Sequence, residues 1–444
     1  MFELKEGIDK SIYNLFRKGS IGTFILKILN IILVFGTNFL LARFIGAKQY
    51  GIYAYVISWA SILSILSLFG LHLLVVREVS IYKTKNDWSS FYKLFHWSTK
   101  TIFFSSLIIS ILGGLILYFL SKNKFLHNFS IAIWLGMILV PLLSFISFYQ
   151  GILRGLGCIV KAQIPQFLIL PVVFLILILF SSQLTDLDGI LAIKFRIIAA
   201  ILSLLIAILF FKSLSKRCLI KSSVYQQHSS LEWIKSALPL FISSIGQIIN
   251  QRISVVVLGN LLGPKEAGIF DITFKIANFV NLPLMIINMP LAPIIVKFYV
   301  KHEYDQLQKL ITNSTRIVFF LSLLFVLFLI FCGNKIFLLV GKEFSSGYYA
   351  LIILSLGFLI NVGMGSVMLL LNMTKNEVFV AKVIISSALI NMFFNIILIP
   401  KLHIIGAAIA NSIVVILWNL LLSIGVYKKL SIYPTILGKK FFKL

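Results

Sequence analysis

The sequence predicts an all-α polytopic membrane protein with about twelve transmembrane helices. Three observations support this: 59% of the 444 residues are hydrophobic, only 12% are charged, and the mean hydropathy is +1.02. An average soluble domain is roughly 45–50% apolar and about 25% charged, and it must keep a polar surface. The composition therefore excludes a soluble enzyme, a disordered chain and a small disulfide-stapled domain.

The apolar residues are grouped in runs of about 20, a length that crosses roughly 30 Å of hydrocarbon. Runs with few charges give twelve candidate spans in two sets of six. The first six are 20–43, 51–76, 100–120, 130–153, 164–183 and 189–211. The other six are 237–262, 268–297, 315–332, 348–372, 380–400 and 403–427.

The basic residues predict the orientation in the membrane. The formal charge is +26, from 40 Lys and Arg against 14 Asp and Glu. Of the basic residues, 27 lie in the tails and even-numbered connections, and 8 lie in the odd-numbered connections. Because cytoplasmic loops of membrane proteins are rich in Lys and Arg, both termini are predicted to be cytoplasmic. The same rule accounts for most of the positive charge, so nucleic acid is not an expected partner.

An internal repeat divides the chain. Residues 44–53 (FIGAKQYGIY) match residues 261–270 (LLGPKEAGIF) at a constant offset of 217, and both lie in predicted outer connections. We therefore predict two six-helix lobes, residues 1–211 and 237–444, arranged as parallel repeats and joined by a cytoplasmic linker at 212–236. Such lobes form transporters with a central substrate cavity. The alternative is that the match reflects a common loop turn.

Two segments carry a resemblance to a known family. The G-A-x-x-Y-G-x-Y stretch at 46–53 and GAAIA at 406–410 resemble bacterial polysaccharide repeat-unit (O-antigen, Wzx-type) flippases. These belong to the multidrug/oligosaccharidyl-lipid/polysaccharide exporter superfamily. The resemblance implies a V-shaped, two-lobed transporter in the bacterial inner membrane that takes part in polysaccharide or lipopolysaccharide biosynthesis.

The implied substrate is an undecaprenyl-diphosphate-linked oligosaccharide, moved from the inner to the outer leaflet by alternating access. A glycan polymerase and a chain-length regulator are candidate partners besides the lipid bilayer. The resemblance implies no cofactor, no metal and no catalytic residue.

Six charged residues lie inside the predicted spans: Lys27, Lys194, Arg196, Arg252, Asp271 and Lys275. A charge at the bilayer centre costs roughly 2.5–3.5 kcal/mol, so these residues must pair, snorkel to the interface or line a wet cavity. Arg252 is the strongest candidate for the substrate diphosphate, because it lies deep in span 7 near Gln247 and Asn250. A guanidinium group binds phosphate through two parallel hydrogen bonds.

The other charged positions have competing interpretations. Lys27 shares a polar stripe of span 1 with Asn30, but it can also snorkel to the cytoplasm. Asp271 and Lys275 lie one turn apart on span 8, where a structural ion pair competes with ion coupling by Asp271 and substrate binding by Lys275. Arg196 lies deeper in span 6 than Lys194, which can snorkel outward. The predicted substrate-binding set is Arg252, Lys275, Lys27, Arg196, Asn250, Gln247 and Asn30, around a central cationic cavity.

Three other functions compete with this one. A cation-coupled multidrug antiporter of the same superfamily needs acids in the cavity, and the first half has none within a span. A lipid II-type precursor flippase is the second alternative, although such proteins more often have fourteen spans. An integral-membrane enzyme needs a catalytic loop or motif. The outer connections are short and lack HExxH, GxSxG and P-loop patterns, which favours a transporter.

Overall fold

The computed structural model describes residues 10–121, 127–182, 187–215 and 230–438, and every regular element in these ranges is helical. The helices of the first half are α1 (Lys10–Leu68), α2 (Leu71–Lys85), α3 (Trp88–Ser121), α4 (His127–Gly155), α5 (Ile159–Ile164), α6 (Leu170–Ser181) and α7 (Gly189–Ser215). Those of the second half are α8 (Ser230–Leu261), α9 (Pro264–Ala277), α10 (Leu282–Val300), α11 (Tyr304–Val340), α12 (Tyr348–Gly363), α13 (Val367–Met373) and α14 (Glu377–Leu430).

Short helical turns of other kinds join several of these helices. A π-helical turn, Pro165–Ile169, links α5 to α6. Two 3-10 turns, Asn278–Asn281 and Lys342–Gly347, precede α10 and α12. The predicted linker at 212–236 lies largely outside the described residues, which stop at Ser215 and resume at Ser230.

Ten helical stretches among the described residues are long and apolar enough to cross a membrane. Two of them, Gly22–Leu68 and Glu377–Leu430, have 47 and 54 residues. At 1.5 Å per residue the shorter one extends about 70 Å, more than twice the thickness of the hydrocarbon core. Each contains one break, at Gly46 (φ 71°) and His403 (φ 52°), so each provides two crossings. The all-α polytopic fold is confirmed.

Several predicted boundaries are wrong because single residues, rather than loops, interrupt the helices. The outer connection expected at 44–50 is helical in α1 apart from Gly46. The span at 51–76 ends early, because α1 stops at Leu68 and Gly70 (φ 77°) turns the chain into α2. The span at 268–297 is split by the 3-10 turn before Pro283, whose ring and missing N–H disrupt an α-helix.

The two segments of the internal repeat pack against each other. Gly51 of α1 lies against the carbonyl of Pro264, and Gly268 of α9 lies against the carbonyl of Ala47 and against Gly51 itself. Adding the offset of 217 to Gly51 and Ala47 gives Gly268 and Pro264, so the two contacts are reciprocal. Reciprocal contacts between equivalent residues are characteristic of a two-fold axis. A local axis between the repeats therefore passes close to this glycine pair.

The first pair of repeat glycines has a conformational role. Gly46 has φ 71° and ψ 173°, and its counterpart Gly263 has φ 104° and ψ 174°. This backbone region is essentially restricted to glycine. In both halves the same conformation redirects the chain from one crossing to the next, so the match between the two segments reflects a shared backbone geometry.

The halves also touch at a second place, just after the C-terminal end of α1. A Cβ atom at Gly70 would overlap the backbone of Ala237 and Phe241 in α8, and the rings of Phe69 and Phe241 are 5.6 Å apart. Between the two contact regions, the facing helices enclose a space lined by polar and charged side chains, which contains the candidate site.

Candidate cationic substrate site

Two cavities meet between the halves. The first, of about 60 Å³, is bounded by α1, α6, α7, α8 and α9. The second, of about 320 Å³, is bounded by α8, α9, α12 and α14 with the turn at Asn278–Asn281. Arg252, Asp271 and Lys275 line both cavities, and Arg196 lines the first. Four of the six charged residues predicted to lie inside spans are therefore brought together.

Asp271 is the centre of this cluster. Its side chain is almost completely buried, and Lys275, one helical turn later, donates from Nζ to Asp271 Oδ2 over 2.5 Å. Nη1 of Arg252 lies 3.6 Å from the other carboxylate oxygen, Oδ1. The hydroxyl of Tyr50 also donates to Oδ2, over 2.6 Å. Both oxygens of the carboxylate thus face a cation or a hydrogen-bond donor, as a buried charge requires.

The same cluster bridges the two halves. Lys275 Nζ donates to Oδ1 of Asn38 and to the hydroxyl of Tyr50, both at 2.9 Å. Asn38 and Tyr50 belong to α1 in the first half, whereas Asp271 and Lys275 belong to α9 in the second. Tyr50 is also the neighbour of Gly51, so this polar bridge lies directly beneath the glycine contact between the repeats.

The cluster carries an excess of positive charge. Three cations and one carboxylate are the charged side chains that line the two cavities, which leaves two positive charges without a carboxylate. Arg196 has its guanidinium carbon 5.4 Å from the centre of the Phe174 ring, a cation–π distance. Within the described part of the chain, the buried Nε of Arg252 has no hydrogen-bond partner. A guanidinium group that lines a cavity suits an anion such as a phosphate group.

Amide side chains dominate the larger cavity. Its polar lining consists mainly of Asn250, Gln251, Asn278, Asn281, Asn361, Asn391 and Asn411. Asn250 was predicted in the site, and its amide also has a structural role. It donates to Ser387 over 2.9 Å and accepts a hydrogen bond from Asn391 over 3.1 Å, which ties α8 to α14.

Three predicted site residues are not among those that line the two cavities. Asn30 donates to the carbonyl of Phe167 over 2.9 Å, in the π-helical turn. Gln247 makes a long contact of 3.4 Å with Ser243 on its own helix. Lys27 is half-buried on α1.

Sequence reasoning did not find Tyr50 or the asparagines of α12 and α14. Tyr50 was assigned to an outer connection, because the polar stretch around it resembles a loop. The asparagines are uncharged and scattered among apolar residues, so no single position stands out. They share one feature that the sequence does show, an amide side chain within an otherwise apolar span, and this feature could have identified them.

Comparisons with known protein families agree with this architecture. A family model described as polysaccharide biosynthesis protein matches residues 16–299, more than half of the chain. A second, described as MatE, matches residues 239–400.

Two curated relatives have functions in glycan assembly. The capsular polysaccharide biosynthesis protein CapF of Staphylococcus aureus is 28% identical over 180 residues, which are 40% of this chain and 45% of that protein. The probable low-salt glycan biosynthesis flippase Agl15 of Haloferax volcanii is 25% identical over 176 residues, 39% of this chain and 37% of that protein. The matched segments span less than half the length of both relatives.

Solved structures share the fold. A multidrug resistance MATE family transporter of the MOP superfamily in an inward-facing conformation has a TM-score of 0.74 at 14% identity, covering 93% of this chain and 98% of that one. An outward-facing structure of the same description has a TM-score of 0.58 at 13% identity, covering 93% and 96%. A MOP superfamily transporter from Pyrococcus furiosus, described as having a binding pocket of reverse polarity, has a TM-score of 0.65 at 12% identity, covering 96% and 99%.

Proposed function

Since the chain belongs to the polysaccharide biosynthesis protein family, we propose that it is a flippase for undecaprenyl-diphosphate-linked oligosaccharide repeat units. The observation that carries this proposal is the charge of the central cluster. Arg252 and Lys275 face the carboxylate of Asp271, and Arg196 lines the same small cavity, so the described cavity lining has three cations and one carboxylate. Two uncompensated positive charges in a confined cavity favour a diphosphate and repel a cation.

The diphosphate enters the cluster by competing with Asp271. Arg252 and Lys275 both face that carboxylate. A diphosphate offers more negative charge and more acceptor oxygens than one carboxylate, so it displaces Asp271 as their partner. The glycan then passes between the two halves, while the prenyl chain stays in the lipid. The cost of moving the polar headgroup through hydrocarbon is thereby avoided.

Alternating access requires one end of the path to be closed. The contact between Gly51 and Gly268 closes the end that the basic residues assign to the outside. The TM-score of 0.74 to an inward-facing MATE structure, against 0.58 to an outward-facing one, supports an arrangement of the halves closer to the inward-facing one. The contact of Gly70 with α8 has to loosen before substrate enters from the inner side. Substrate loading from the inner leaflet and release to the outer leaflet follow from such a cycle.

The test is a deletion of this chain in the bacterium that encodes it. We expect the deletion to remove surface polysaccharide and to accumulate undecaprenyl-linked glycan in the inner leaflet, with both effects reversed when the chain is expressed. Co-purification with a glycan polymerase or a chain-length regulator checks the proposed partners. Normal surface polysaccharide in the deletion strain would contradict the proposal.

The fold also supports a second candidate, a cation-coupled multidrug antiporter. The MatE match and the MATE structures favour this candidate, and Asp271 supplies one acid. The excess of positive charge around that acid opposes it. If the chain is an antiporter, its deletion should leave the surface glycan intact and increase the sensitivity of the cells to cationic drugs. A lipid II-type flippase predicts a defect in cell-wall synthesis rather than in surface glycan.

The orientation is also proposed, with both termini in the cytoplasm of the bacterial inner membrane. Reporter fusions truncated after residues 225 and 436 are expected to be cytoplasmic, and those truncated after residues 48, 185 and 264 external. The physical reason is the excess of Lys and Arg in the tails and even-numbered connections. An external reporter at residue 225 would contradict the division into two parallel halves.

Asp271 is the proposed ion-coupling residue, because its carboxylate is the acid within the cationic cluster. Protonation of Asp271 removes its negative charge and so weakens its ion pairs with Arg252 and Lys275. Both cations are then available to bind the diphosphate. We expect flipping in proteoliposomes to respond to an imposed pH gradient in the native protein and not in Asp271→Asn. If Asp271→Asn responds to the gradient as the native protein does, coupling lies elsewhere.

A further inference from the structure

The larger central cavity differs chemically from the cationic cluster at its edge. Apart from Arg252, Asp271 and Lys275, which it shares with the smaller cavity, its lining is uncharged. Amides and aromatic rings line it together, among them Trp418 and Phe358. We call this space the amide chamber. Its volume of about 320 Å³ falls within the range of roughly 300–1,000 Å³ typical of small-molecule sites.

A directed chain of hydrogen bonds begins at the buried Asn419, outside the chamber lining, and orients three asparagine side chains of the chamber. Asn419 donates to Asn361 over 2.7 Å, Asn361 donates to Asn281 over 2.8 Å, and Asn281 donates to Asn278 over 3.0 Å. This chain connects α14, α12 and the 3-10 turn before α10. It fixes the amides in place before any ligand arrives, which lowers the entropic cost of binding.

The three chamber amides of this chain, Asn278, Asn281 and Asn361, keep bonding capacity for a ligand. An asparagine amide has two N–H donors and an oxygen with two lone pairs, and each chain contact uses only one donor and one lone pair. The side chain of Asn278, at the end of the chain, is exposed to the chamber and only accepts a bond among the described residues. Gln251 is exposed at the same chamber. The chamber thus presents donors and acceptors side by side without charge.

We propose that the amide chamber binds the neutral sugars of the lipid-linked glycan, while the cationic cluster binds its diphosphate. This inference rests on the proposed flippase function and extends it to the carbohydrate. Sugar hydroxyls donate and accept hydrogen bonds, as amides do, and the apolar faces of sugar rings pack against aromatic side chains. Because Arg252, Asp271 and Lys275 form the edge of the chamber, the first sugars after the diphosphate enter it directly.

The competing interpretation is structural. Asparagines in membrane helices often hold helices together through interhelical hydrogen bonds. Asn250 and Asn391 have such contacts, so they are poor positions for a test. Gln251 and Asn278 are better, since both are exposed and among the described residues they share in only one side-chain hydrogen bond, which Asn278 accepts from Asn281.

The experiment measures binding to the purified full-length protein in lipid nanodiscs. Two probes are used: undecaprenyl diphosphate, and the lipid-linked oligosaccharide extracted from cells that lack this chain. We expect the native protein to bind the oligosaccharide lipid more tightly than undecaprenyl diphosphate. The double variant Gln251→Ala/Asn278→Ala is expected to weaken binding of the oligosaccharide lipid about tenfold, the effect of two lost hydrogen bonds, and to leave undecaprenyl diphosphate unchanged.

Two further variants separate the possible failures. Asn313→Ala/Asn334→Ala removes two exposed amides of α11 outside the chamber and is expected to bind both probes as the native protein does. Arg252→Ala is expected to weaken the binding of both probes by the same factor. Equal affinities of Gln251→Ala/Asn278→Ala and the native protein for the oligosaccharide lipid would overturn the glycan site alone. Binding of neither probe by the native protein would overturn the proposed function, and the glycan site with it.

Discussion

We expect Arg252→Ala to abolish glycan export while the protein still inserts and accumulates in the membrane. Arg252 lines both central cavities, its Nη1 is 3.6 Å from Asp271, and its Nε has no partner among the described residues. Each charge-assisted hydrogen bond to a phosphate contributes roughly 1.5–3 kcal/mol. The loss of a bidentate pair therefore predicts a decrease of at least about 100-fold in flipping by proteoliposomes.

Two substitutions at the same position separate charge from geometry. Arg252→Lys keeps the positive charge but loses the planar fork, so we expect partial activity. Arg252→Gln removes the charge but keeps N–H donors that can face Asp271, so a role limited to satisfying that carboxylate predicts retained activity. Arg43→Ala, at an exposed arginine of α1 outside both cavities, is the matched control and is expected to retain activity. Native flipping by Arg252→Gln at equal protein level would refute the substrate role and leave Arg196 and Lys275 as the cationic candidates.

The fold could be predicted because its signal lies in linear stretches of sequence. Apolar runs of about 20 residues identify crossings without any knowledge of contacts. Boundaries such as the one at Gly46 could not be predicted, because a single glycine in a rare backbone conformation replaces the expected loop. The resemblance to polysaccharide flippases is confirmed by the family match, whereas the division into two lobes stays a prediction supported by the reciprocal glycine contact.

The cationic part of the site could be predicted because charges within membrane spans are rare and costly. Arg196, Arg252, Asp271 and Lys275 stood out for that reason, and the structure places them together. A helical wheel also separated Arg196 from Lys194, which is exposed on the other side of α7. A helical wheel cannot show which neighbouring helix each face of a helix contacts.

Contacts between distant helices explain the residues that were missed. Tyr50 meets Asp271 only because α1 and α9 pack together across the two halves. The equivalents of Asp271 and Lys275 at the repeat offset are Ala54 and Ser58, so the repeat itself gives no hint of a charged site. The backbone follows a local two-fold relation, while the site chemistry is concentrated in the second half.

The second large effect is expected at the glycine contact. Gly51→Ala places a Cβ atom on the carbonyl of Pro264, and Gly268→Ala places one on the carbonyl of Ala47. Backbone atoms cannot rotate away as a side chain can, so the two halves must separate at this end. Overpacking typically costs ~1–3 kcal/mol, which lowers the ratio of the outward-closed to the outward-open state by a factor of about 5–150. We expect both variants to lose most of their flipping activity.

Gly36→Ala is a matched control on the same helix. A Cβ atom at Gly36 meets no atom within 4 Å. Both α1 substitutions exchange glycine for alanine and raise helix propensity by about the same amount. A general stiffening of α1 therefore affects both variants, whereas loss of closure affects only Gly51→Ala. Native flipping in Gly51→Ala would show that this contact is not a gate.

A conformational measurement links the gate to the charged cluster beneath it. In a background whose three native cysteines are replaced, we test Ile57→Cys, at a residue that lines the smaller cavity. This cysteine is expected to react faster with a membrane-impermeant thiol reagent from outside when Gly51→Ala is also present. The Tyr50–Asp271 bond lies next to the same contact. A diphosphate that draws Arg252 and Lys275 away from Asp271 weakens the bridge between the halves. Substrate is therefore expected to increase external labelling in the native background, and Arg252→Ala is expected to remove that increase.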